Sequence, residues 1–345
     1  MLDYTKLKDD NRKTLRDIIP LEKPFTLVVE PSSLCNFRCI MCYHSTKAND
    51  YFNANKRLMP FDLYELLIKQ AAEWEGDRFK VLKLSLYGEP LMNPEFCRML
   101  ALAHEKQIAE RIETTSNVSL LTPEVSEGLV RGGLDYIRVS IYSPLQDKHE
   151  QITSAKIEIT KIKNNLEILQ EIKQKRGSQT PFVAVKMLDT YGEENELFRE
   201  MYQDVADEIY IDKPHNWIAT EEKSFIDALY GEGNDSVVVD LNGQNNDCKA
   251  CGVSFYTFAV RNNGDASPCC VDWSGGTNIG NIRENPLKDI WQGERMKAFW
   301  KMQLAGQNHK NPSCRNCNIY KSNYYSKDNV DGVPVERLSR GQATE

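Results

Sequence analysis

The sequence predicts an α/β fold in which a parallel sheet with crossover helices is followed by a smaller, cysteine-rich domain. Between residues 25 and 213, β-rich runs alternate with amphipathic helical stretches about six times, and this alternation is typical of a parallel sheet. Beyond residue 213 the alternation ends, and six of the ten cysteines follow. A chain of 345 residues has room for about two such domains.

The elements of the predicted sheet occur in regular order. We expect strands at 25–30, 81–87, 111–116, 136–142, 182–188 and 208–212. Between them we expect helices at 61–75, 94–106, 123–132, 157–175 and 193–204. Because a helix follows each of the first five strands from residue 25 onward, the strands are expected to be parallel.

The segment after residue 213 contains a linker, a hairpin and a helix. Part of the linker is rich in Gly, Asn and Asp, and a helix is predicted at 220–229. Strands at 254–260 and 266–271 flank Asn263-Gly264, which supplies the positive φ angles of a tight turn. Pro286 then opens a helix that runs to residue 304. The predicted divisions are an N-terminal extension, a core, a linker, a cysteine-rich domain and a polar tail, at 1–24, 25–213, 214–247, 248–320 and 321–345.

Composition and charge exclude several classes of protein. A formal net charge of −7 and a pI near 5.5 argue against broad electrostatic contact with nucleic acid. The first 17 residues lack the apolar core of a signal peptide, and no apolar run approaches the ~20 residues of a membrane span. We therefore expect a cytoplasmic protein without membrane contact, whose clustered cysteines are metal ligands rather than disulfides.

Cys35, Cys39 and Cys42 form a C-x3-C-x2-C run directly after the first predicted strand. Three ligands are one short of a closed structural zinc site or of a cubane [4Fe–4S] cluster with four protein ligands. A cluster held by three thiolates keeps one iron open to another molecule. The alternatives are a zinc knuckle and a chance spacing.

The spacing of these cysteines, Phe37 between them and their place after the first strand resemble the signature of the radical S-adenosylmethionine (SAM) enzymes. In that family the open iron binds the amino and carboxylate groups of SAM, and one-electron reduction cleaves the C–S bond to give a 5′-deoxyadenosyl radical. The resemblance implies a partial (β/α)6 barrel with its active groups at the carboxyl ends of the strands. It also implies an electron donor of the flavodoxin or ferredoxin type.

Residues on four strands are assigned to SAM by the same resemblance. Tyr87-Gly88-Glu89-Pro90 is similar to the family's Gly-Gly-Glu-Pro segment, whose glutamate and backbone hold the SAM ammonium, with tyrosine in place of the first glycine. Lys186 faces inward if its apolar neighbours face the helices, and is otherwise a solvated lysine. The implied SAM contacts are Tyr87, Gly88, Glu89, Pro90, Ser116, Asn117, Ser140 and Lys186.

Cys251, Cys269, Cys314 and Cys317 form a second set with the spacing C-x17-C-x44-C-x2-C. Four thiolates complete either a zinc ribbon or an iron–sulfur cluster without an open iron. Their order around a hairpin glycine resembles the SPASM and twitch extensions of radical SAM enzymes. The further cysteine run of a full SPASM domain is missing, which favours the twitch type seen in butirosin-type dehydrogenases. The resemblance thus implies two [4Fe–4S] clusters and SAM, with Cys248 as an alternative ligand to Cys251.

Two residues beside the second set are candidates for catalysis. Cys270 follows Cys269 on a predicted strand, where neighbours point to opposite faces. Cys270 is therefore expected to face a cavity between the domains, where a thiol can donate a hydrogen atom; the alternative is a small buried hydrophobe. Asp272, on the same face as Cys270, is the candidate base, with a surface role as its alternative.

These features favour an oxidoreductase that abstracts hydrogen from a carbohydrate or aminocyclitol-like metabolite and oxidises an alcohol to a ketone. If Cys270 returns a hydrogen atom instead, the reaction is an epimerisation. A third interpretation is modification of a peptide, which the short stretch before residue 25 disfavours. The fourth is a non-catalytic zinc-binding scaffold, in which His44 completes the first cysteine set.

Overall fold

The computed structural model describes residues 12–42, 44, 50–213, 229–230, 248–272, 274–315, 317–319 and 326–339. Its strands are β1 Thr26–Val29, β2 Val81–Leu84, β3 Ile112–Ser116, β4 Tyr136–Ser140, β5 Phe182–Leu188, β6 Glu208–Asp212, β7 Thr257–Val260, β8 Asp265–Ser267 and β9 Gly280–Asn281. Within the described ranges they form one nine-stranded sheet in the order β6-β5-β4-β3-β2-β1-β7-β8-β9. Strands β1 to β7 pair in parallel, whereas β8 and β9 pair antiparallel.

Helices cover one face of the parallel strands and bury its apolar side chains. Strand residues such as Leu82, Val139 and Val185 share one core with Leu67 and Leu100 of the helices. The predicted α/β class, with a partial (β/α)6 barrel and a C-terminal hairpin and helix domain, is thereby confirmed. The helices are α1 Leu15–Ile18, α2 Asp50–Ala54, α3 Phe61–Glu73, α4 Phe96–Lys106, α5 Pro123–Arg131, α6 Gln146–Thr153, α7 Ile159–Arg176, α8 Glu194–Tyr202, α9 Leu287–Trp291, α10 Glu294–Leu304 and α11 Pro312–Arg315.

The opposite face of the sheet, called here the interior face, is polar. Side chains alternate between the two faces along a strand, so the half-buried residues between core positions point inward. Lys83 on β2, Arg138 on β4 and Lys186 on β5 occupy such positions. The interior face can therefore receive polar ligands, while the other face supplies the hydrophobic stabilisation.

The C-terminal hairpin extends this sheet at the β1 edge. Strand β7 pairs with all four residues of β1, beginning with Thr26 opposite Thr257. The hairpin turns at Gly264, whose φ of 91° suits glycine, and a side chain there would collide with Asn281. The first cysteine set and Cys269 of the second set thus follow strands of one continuous sheet.

The observed elements depart from the predicted ones where the sequence pattern is short or polar. The helix predicted at 286–304 is two helices, α9 and α10, because Gly293 between them has an extended backbone with ψ of 166°. The hairpin strands are shorter than predicted, and α6 and β9 were not predicted. Apart from residues 229 and 230, the predicted linker lies outside the described residues.

Part of the predicted polar tail is packed into the molecule, which corrects its description as a tail. Within 326–339, Val330 and Val333 are buried in the core. Asp328 pairs with Arg12 at 2.6 Å and joins the two ends of the described chain. No helix among the described residues is both long and apolar enough to span a membrane.

Candidate active site and metal centres

The first cysteine set lies in the loop between β1 and α2, and α6 holds this loop in place. The buried ring of Phe37 lies 5.9 Å from the ring of His149 and 6.4 Å from that of Tyr142. The backbone N–H of Arg38 donates to the carbonyl of Thr153 at 2.8 Å. A helix that the sequence did not predict therefore fixes the path of the cysteine loop.

The thiols of Cys35, Cys39 and Cys42 lie within electrostatic reach of one another. Burial raises the pKa of Cys35 to about 11 and that of Cys39 to about 12, and it also raises the pKa of Cys42. Such thiols stay neutral unless a bound metal ionises them. Three soft, buried donors fit an iron–sulfur cluster. Among the described residues, no three His, Cys, Asp or Glu side chains surround a position for one metal ion.

His44, the candidate fourth ligand of a zinc site, is hydrogen-bonded to the second strand's motif. Its Nε2 donates to the carbonyl of Tyr87 at 3.0 Å, and its ring lies edge-on to Phe52 at 5.0 Å. Burial lowers the pKa of His44 to about 4. The imidazole thus connects the end of the cysteine loop to the predicted SAM motif.

Glu89 is buried where β2 and β3 end and accepts three hydrogen bonds. Its carboxylate accepts from Ser116 Oγ at 2.7 Å, from the Asn117 N–H at 2.8 Å and from the Leu91 N–H at 3.1 Å. Burial raises the pKa of Glu89 to about 7, and these hydrogen bonds oppose the increase. Glu89, Ser116 and Asn117, assigned to SAM from the sequence, therefore form one hydrogen-bonded group.

Gly88 allows this group to lie against the cysteine loop. A Cβ at Gly88 would overlap the carbonyl oxygens of Ser32 and Leu34. The Gly88 N–H donates to Ser32 at 3.1 Å and the Glu89 N–H donates to Leu34 at 2.8 Å. Pro90 then begins a short 3-10 turn that Glu89 caps. The spacing of the motif is thus explained by close backbone contact.

Asn36 is a site residue that the sequence reasoning missed. Its Oδ1 accepts from Asn117 Nδ2 at 3.0 Å, and its Nδ2 donates to Ser119 Oγ at 2.8 Å. This pair connects the end of β3 directly to the cysteine loop. Its position between Cys35 and Cys39 was the available signal.

Ser140 and Lys186 are register partners on β4 and β5. Lys186 Nζ lies 2.7 Å from Asp212 on β6, so it is held in an ion pair on the interior face. Burial lowers the pKa of Lys186, while Asp212 opposes that change. Ser140 is half-buried at the end of its strand. Both side chains thus belong to the polar face that Glu89 and Asn117 border.

The second cysteine set comes together from three segments of the C-terminal domain. Cys251 interacts electrostatically with Cys317, Cys314 and Cys269, and burial raises the pKa of each of Cys251, Cys269 and Cys314. Gln303 accepts from the Cys251 N–H at 3.0 Å and donates to Cys314 Sγ at 3.6 Å. Four thiols in one group fit a closed cluster.

Cys248, the alternative ligand, lies near the C-terminal segment. Asn329 Nδ2 donates to its sulfur at 3.8 Å. The thiol of Cys251 interacts with those of Cys314 and Cys317, so Cys251 lies within the second set. The choice of Cys251 over Cys248 as the ligand stays a prediction.

Cys270 lies in the turn after β8 rather than on a strand. Burial raises the pKa of its thiol, and the charge of Lys83 opposes that increase. Because Lys83 belongs to the interior face, Cys270 is close to that face. The charge of Lys83 on β2 therefore acts on a thiol of the C-terminal domain.

Asp272 is completely buried and accepts hydrogen bonds from three residues. Both the N–H and Oγ1 of Thr277 donate to it at 2.6 Å, and Ser274 Oγ and Ser313 Oγ each donate at 2.7 Å. Arg261 lies 3.6 Å away. Although burial raises the pKa of Asp272, these partners lower it below its ordinary value. The carboxylate therefore joins the loop after Cys269 to the helix that carries Cys314, and its role as a base stays a prediction.

Arg261 connects the two cysteine sites and was not predicted. Its guanidinium lies 4.8 Å from the ring of Tyr51 and 5.2 Å from the ring of Tyr87. Glu30, at the end of β1, accepts from the Asn262 N–H at 3.2 Å. Tyr87, which replaces a glycine of the family motif, therefore contacts the auxiliary domain through Arg261.

A partial barrel with an open three-thiol loop after its first strand and a closed thiol set at its edge defines an iron–sulfur enzyme that cleaves SAM. The chain belongs to the radical SAM superfamily, whose model matches residues 29–205. A model of an iron–sulfur cluster-binding domain, SPASM, matches residues 251–318. The protein therefore uses SAM with a [4Fe–4S] cluster, and additional iron–sulfur is held by its C-terminal domain.

Two curated relatives differ in how much of the chain they match. The tungsten-containing aldehyde ferredoxin oxidoreductase cofactor-modifying protein of Pyrococcus furiosus is 24% identical over 85% of this chain and 87% of its own. The S-adenosyl-L-methionine-dependent 2-deoxy-scyllo-inosamine dehydrogenase of Niallia circulans is 36% identical, over 20% of this chain and 28% of its own.

Solved structures share the fold. BtrN in complex with AdoMet and 2-DOIA has a TM-score of 0.55 at 20% identity and covers 85% of this chain and 92% of its own. Streptococcus suis SuiB bound to precursor peptide SuiA has a TM-score of 0.60 at 15% identity and covers 89% of this chain and 72% of its own. The same fold thus occurs in structures with a small-molecule and with a peptide ligand.

Proposed function

We propose that the protein oxidises an alcohol of a small polar metabolite to a ketone, with carbohydrate and aminocyclitol-like compounds as the substrate class. When bound, SAM and two [4Fe–4S] clusters supply a 5′-deoxyadenosyl radical and an acceptor for one electron. The substrate loses a hydrogen atom from carbon, a proton from the hydroxyl group and one electron. The proposal also includes a flavodoxin- or ferredoxin-type protein as the electron donor and a cytoplasmic location for the enzyme.

Polar side chains on the interior face are the observation that carries this proposal. Lys83, Arg138 and Lys186 all lie on that face, and Asp212 pairs with two of them. Hydrogen-bonding groups of this kind suit a hydroxylated small molecule. The names of the two relatives, a dehydrogenase of an aminocyclitol and a protein that modifies a cofactor, support a small-molecule substrate.

Epimerisation is the second candidate, and the surroundings of two residues favour it. Asp272 is buried and accepts hydrogen bonds from Thr277, Ser274 and Ser313, so it is poorly placed to take a proton from a substrate. Cys270 is close to Lys83 on the interior face, where a thiol can return a hydrogen atom. The two reactions therefore differ in whether Cys270 takes part.

Turnover in D2O separates the two reactions. The first compound to assay is 2-deoxy-scyllo-inosamine, because a relative is named for it. If the reaction is an oxidation, we expect one 5′-deoxyadenosine per ketone and no deuterium on the new carbonyl carbon. The Cys270→Ala variant should then lose only a little of the rate of ketone formation. An inverted product that carries carbon-bound deuterium, and that disappears in Cys270→Ala, would instead establish an epimerase.

A further inference from the structure

Lys83 is a cation on the interior face without an ion-pair partner among the described residues. It lies between Leu82 and Leu84, whose side chains are buried on the helix side, so its own side chain points inward. Glu113 on β3 is the register partner of Lys83, so by sheet position it is the nearest candidate for an ion pair. The carboxylate of Glu113 instead accepts from Arg111 at 2.8 Å.

Two further cations of the interior face share one carboxylate. Lys186 Nζ lies 2.7 Å and Arg138 Nη2 lies 3.1 Å from the same oxygen of Asp212. The charges of Arg138 and Lys83 both act on Lys186, so all three cations belong to one electrostatic group. Among these four side chains, three positive charges face one negative charge.

An excess of positive charge in a half-buried site is unfavourable unless an anion compensates it. Glu208 on β6 of the same face accepts from the hydroxyl of Tyr210 and keeps its negative charge, so the three cations face two carboxylates besides the Arg111–Glu113 pair. One positive charge is left over, and an anionic ligand beside Lys83 would balance it. Lys83 lies inside β2, four positions before Tyr87, so it is distinct from the Glu89 group at the end of the strand.

We propose that Lys83 binds an anionic group, a phosphate or a carboxylate, on the substrate of this enzyme. This inference rests on the proposed function, because it takes the interior face to be the substrate site. Arg138 and Lys186 contribute positive charge to the same ligand. The anionic group would anchor the substrate on the interior face at β2.

The test measures binding of inorganic phosphate and of acetate to the reconstituted, SAM-saturated protein by anaerobic titration calorimetry. Lys83→Met is compared with Lys80→Met, whose ammonium is exposed and pairs with Glu110. We expect Lys83→Met to bind the preferred anion at least about tenfold more weakly, because a charge-assisted hydrogen bond is lost. Lys83→Arg is expected to retain binding, and Lys80→Met to match the native protein.

Equal anion affinity in Lys83→Met and Lys80→Met, or no binding of either anion by the native protein, would overturn the inference. The stronger of the two probes identifies the group as phosphate or carboxylate. Formation of 5′-deoxyadenosine by the native protein and by Lys80→Met is measured in parallel. Its absence in both would count against the proposed function, whatever the anion titrations show.

Discussion

The two cysteine sites differ in whether the polar groups around them are available to a ligand. At the first site, the thiols of one short loop lie beside a buried group of Glu89, Ser116 and Asn117 that borders the polar interior. At the second site, thiols from separate segments are held together by Gln303 and Asp272, whose polar atoms bind the domain itself. The polar groups beside an open cluster must therefore keep hydrogen-bonding capacity for a ligand. Those beside a closed cluster use their hydrogen bonds to hold the protein segments together.

The largest expected effect comes from removing the open site. Changing Cys35, Cys39 and Cys42 together to Ala is expected to leave about four of about eight irons and no SAM cleavage, because only the closed cluster remains. Iron, sulfide and 5′-deoxyadenosine are measured after anaerobic reconstitution. Cys97→Ala, at a cysteine on α4 outside both sets, is the control. Stoichiometric zinc without sulfide in the native protein would show that the sites hold zinc rather than iron–sulfur clusters, and would contradict the comparison.

Removing the closed site is expected to have the complementary effect. Cys251→Ala combined with Cys314→Ala should again leave about four irons, but SAM cleavage without substrate should persist. Cys248→Ala is the matched control and is expected to retain both clusters. A loss of iron in Cys248→Ala equal to that in the double variant would make Cys248 a ligand.

Glu89→Gln tests the capacity of the open site to hold SAM. We expect about tenfold weaker SAM binding with unchanged iron content, because the carboxylate loses its charge. Burial raises the pKa of Glu89 to about 7, so the ionised form that binds an ammonium increases with pH. The SAM affinity of the native protein should therefore rise from about pH 6 to about pH 8. Equilibrium binding measures this affinity, which should depend less on pH in the Glu89→Gln variant. Equal affinities at high pH would mean that Glu89 does not contact SAM.

Asp272→Asn tests the supporting role of the closed site's neighbours. The amide nitrogen replaces one carboxylate oxygen and so faces donors in either orientation, Thr277 at Oδ2 or Ser274 and Ser313 at Oδ1. We therefore expect a loss of about 1–3 kcal/mol in stability and weaker retention of auxiliary iron. Thermal unfolding and iron content are compared with Asp62→Asn, at an exposed surface pair. If stability and iron are unchanged while ketone formation is lost, Asp272 is the base that the sequence suggested.

The smallest expected effect is that of Gln303→Leu. Its Nε2 donates to Cys314 Sγ, and hydrogen bonds to sulfur favour the more negative, reduced cluster. We expect the auxiliary potential to become slightly more negative while that of the SAM-binding cluster stays the same. Anaerobic redox titration followed by electron paramagnetic resonance measures both. A shift of the first cluster instead would show that the two sites are not electronically separate.

Sequence reasoning succeeded where the signal was local and failed where distant segments meet. The parallel strands and the Tyr87-Gly88-Glu89-Pro90 motif could be found because their patterns are continuous in the chain. Helix α6 was missed because its sequence is mostly polar and lacks a clear apolar period. The surroundings of Asp272 depend on Ser313, 41 positions away, and on Arg261, so no local pattern reveals that the carboxylate is saturated.

The parallel pairing of β1 with β7 has a consequence for how this chain folds. Thr26 and Thr257 are register partners more than 200 residues apart, and contacts of such separation form slowly. Until residues 257–260 have left the ribosome, β1 has an unpaired edge, and an open edge of a sheet recruits other strands. A chain truncated before residue 257 is therefore expected to aggregate rather than yield a smaller working barrel. Synthesis thus has to pass residue 260, about three quarters of the chain, before β1 is paired on both sides.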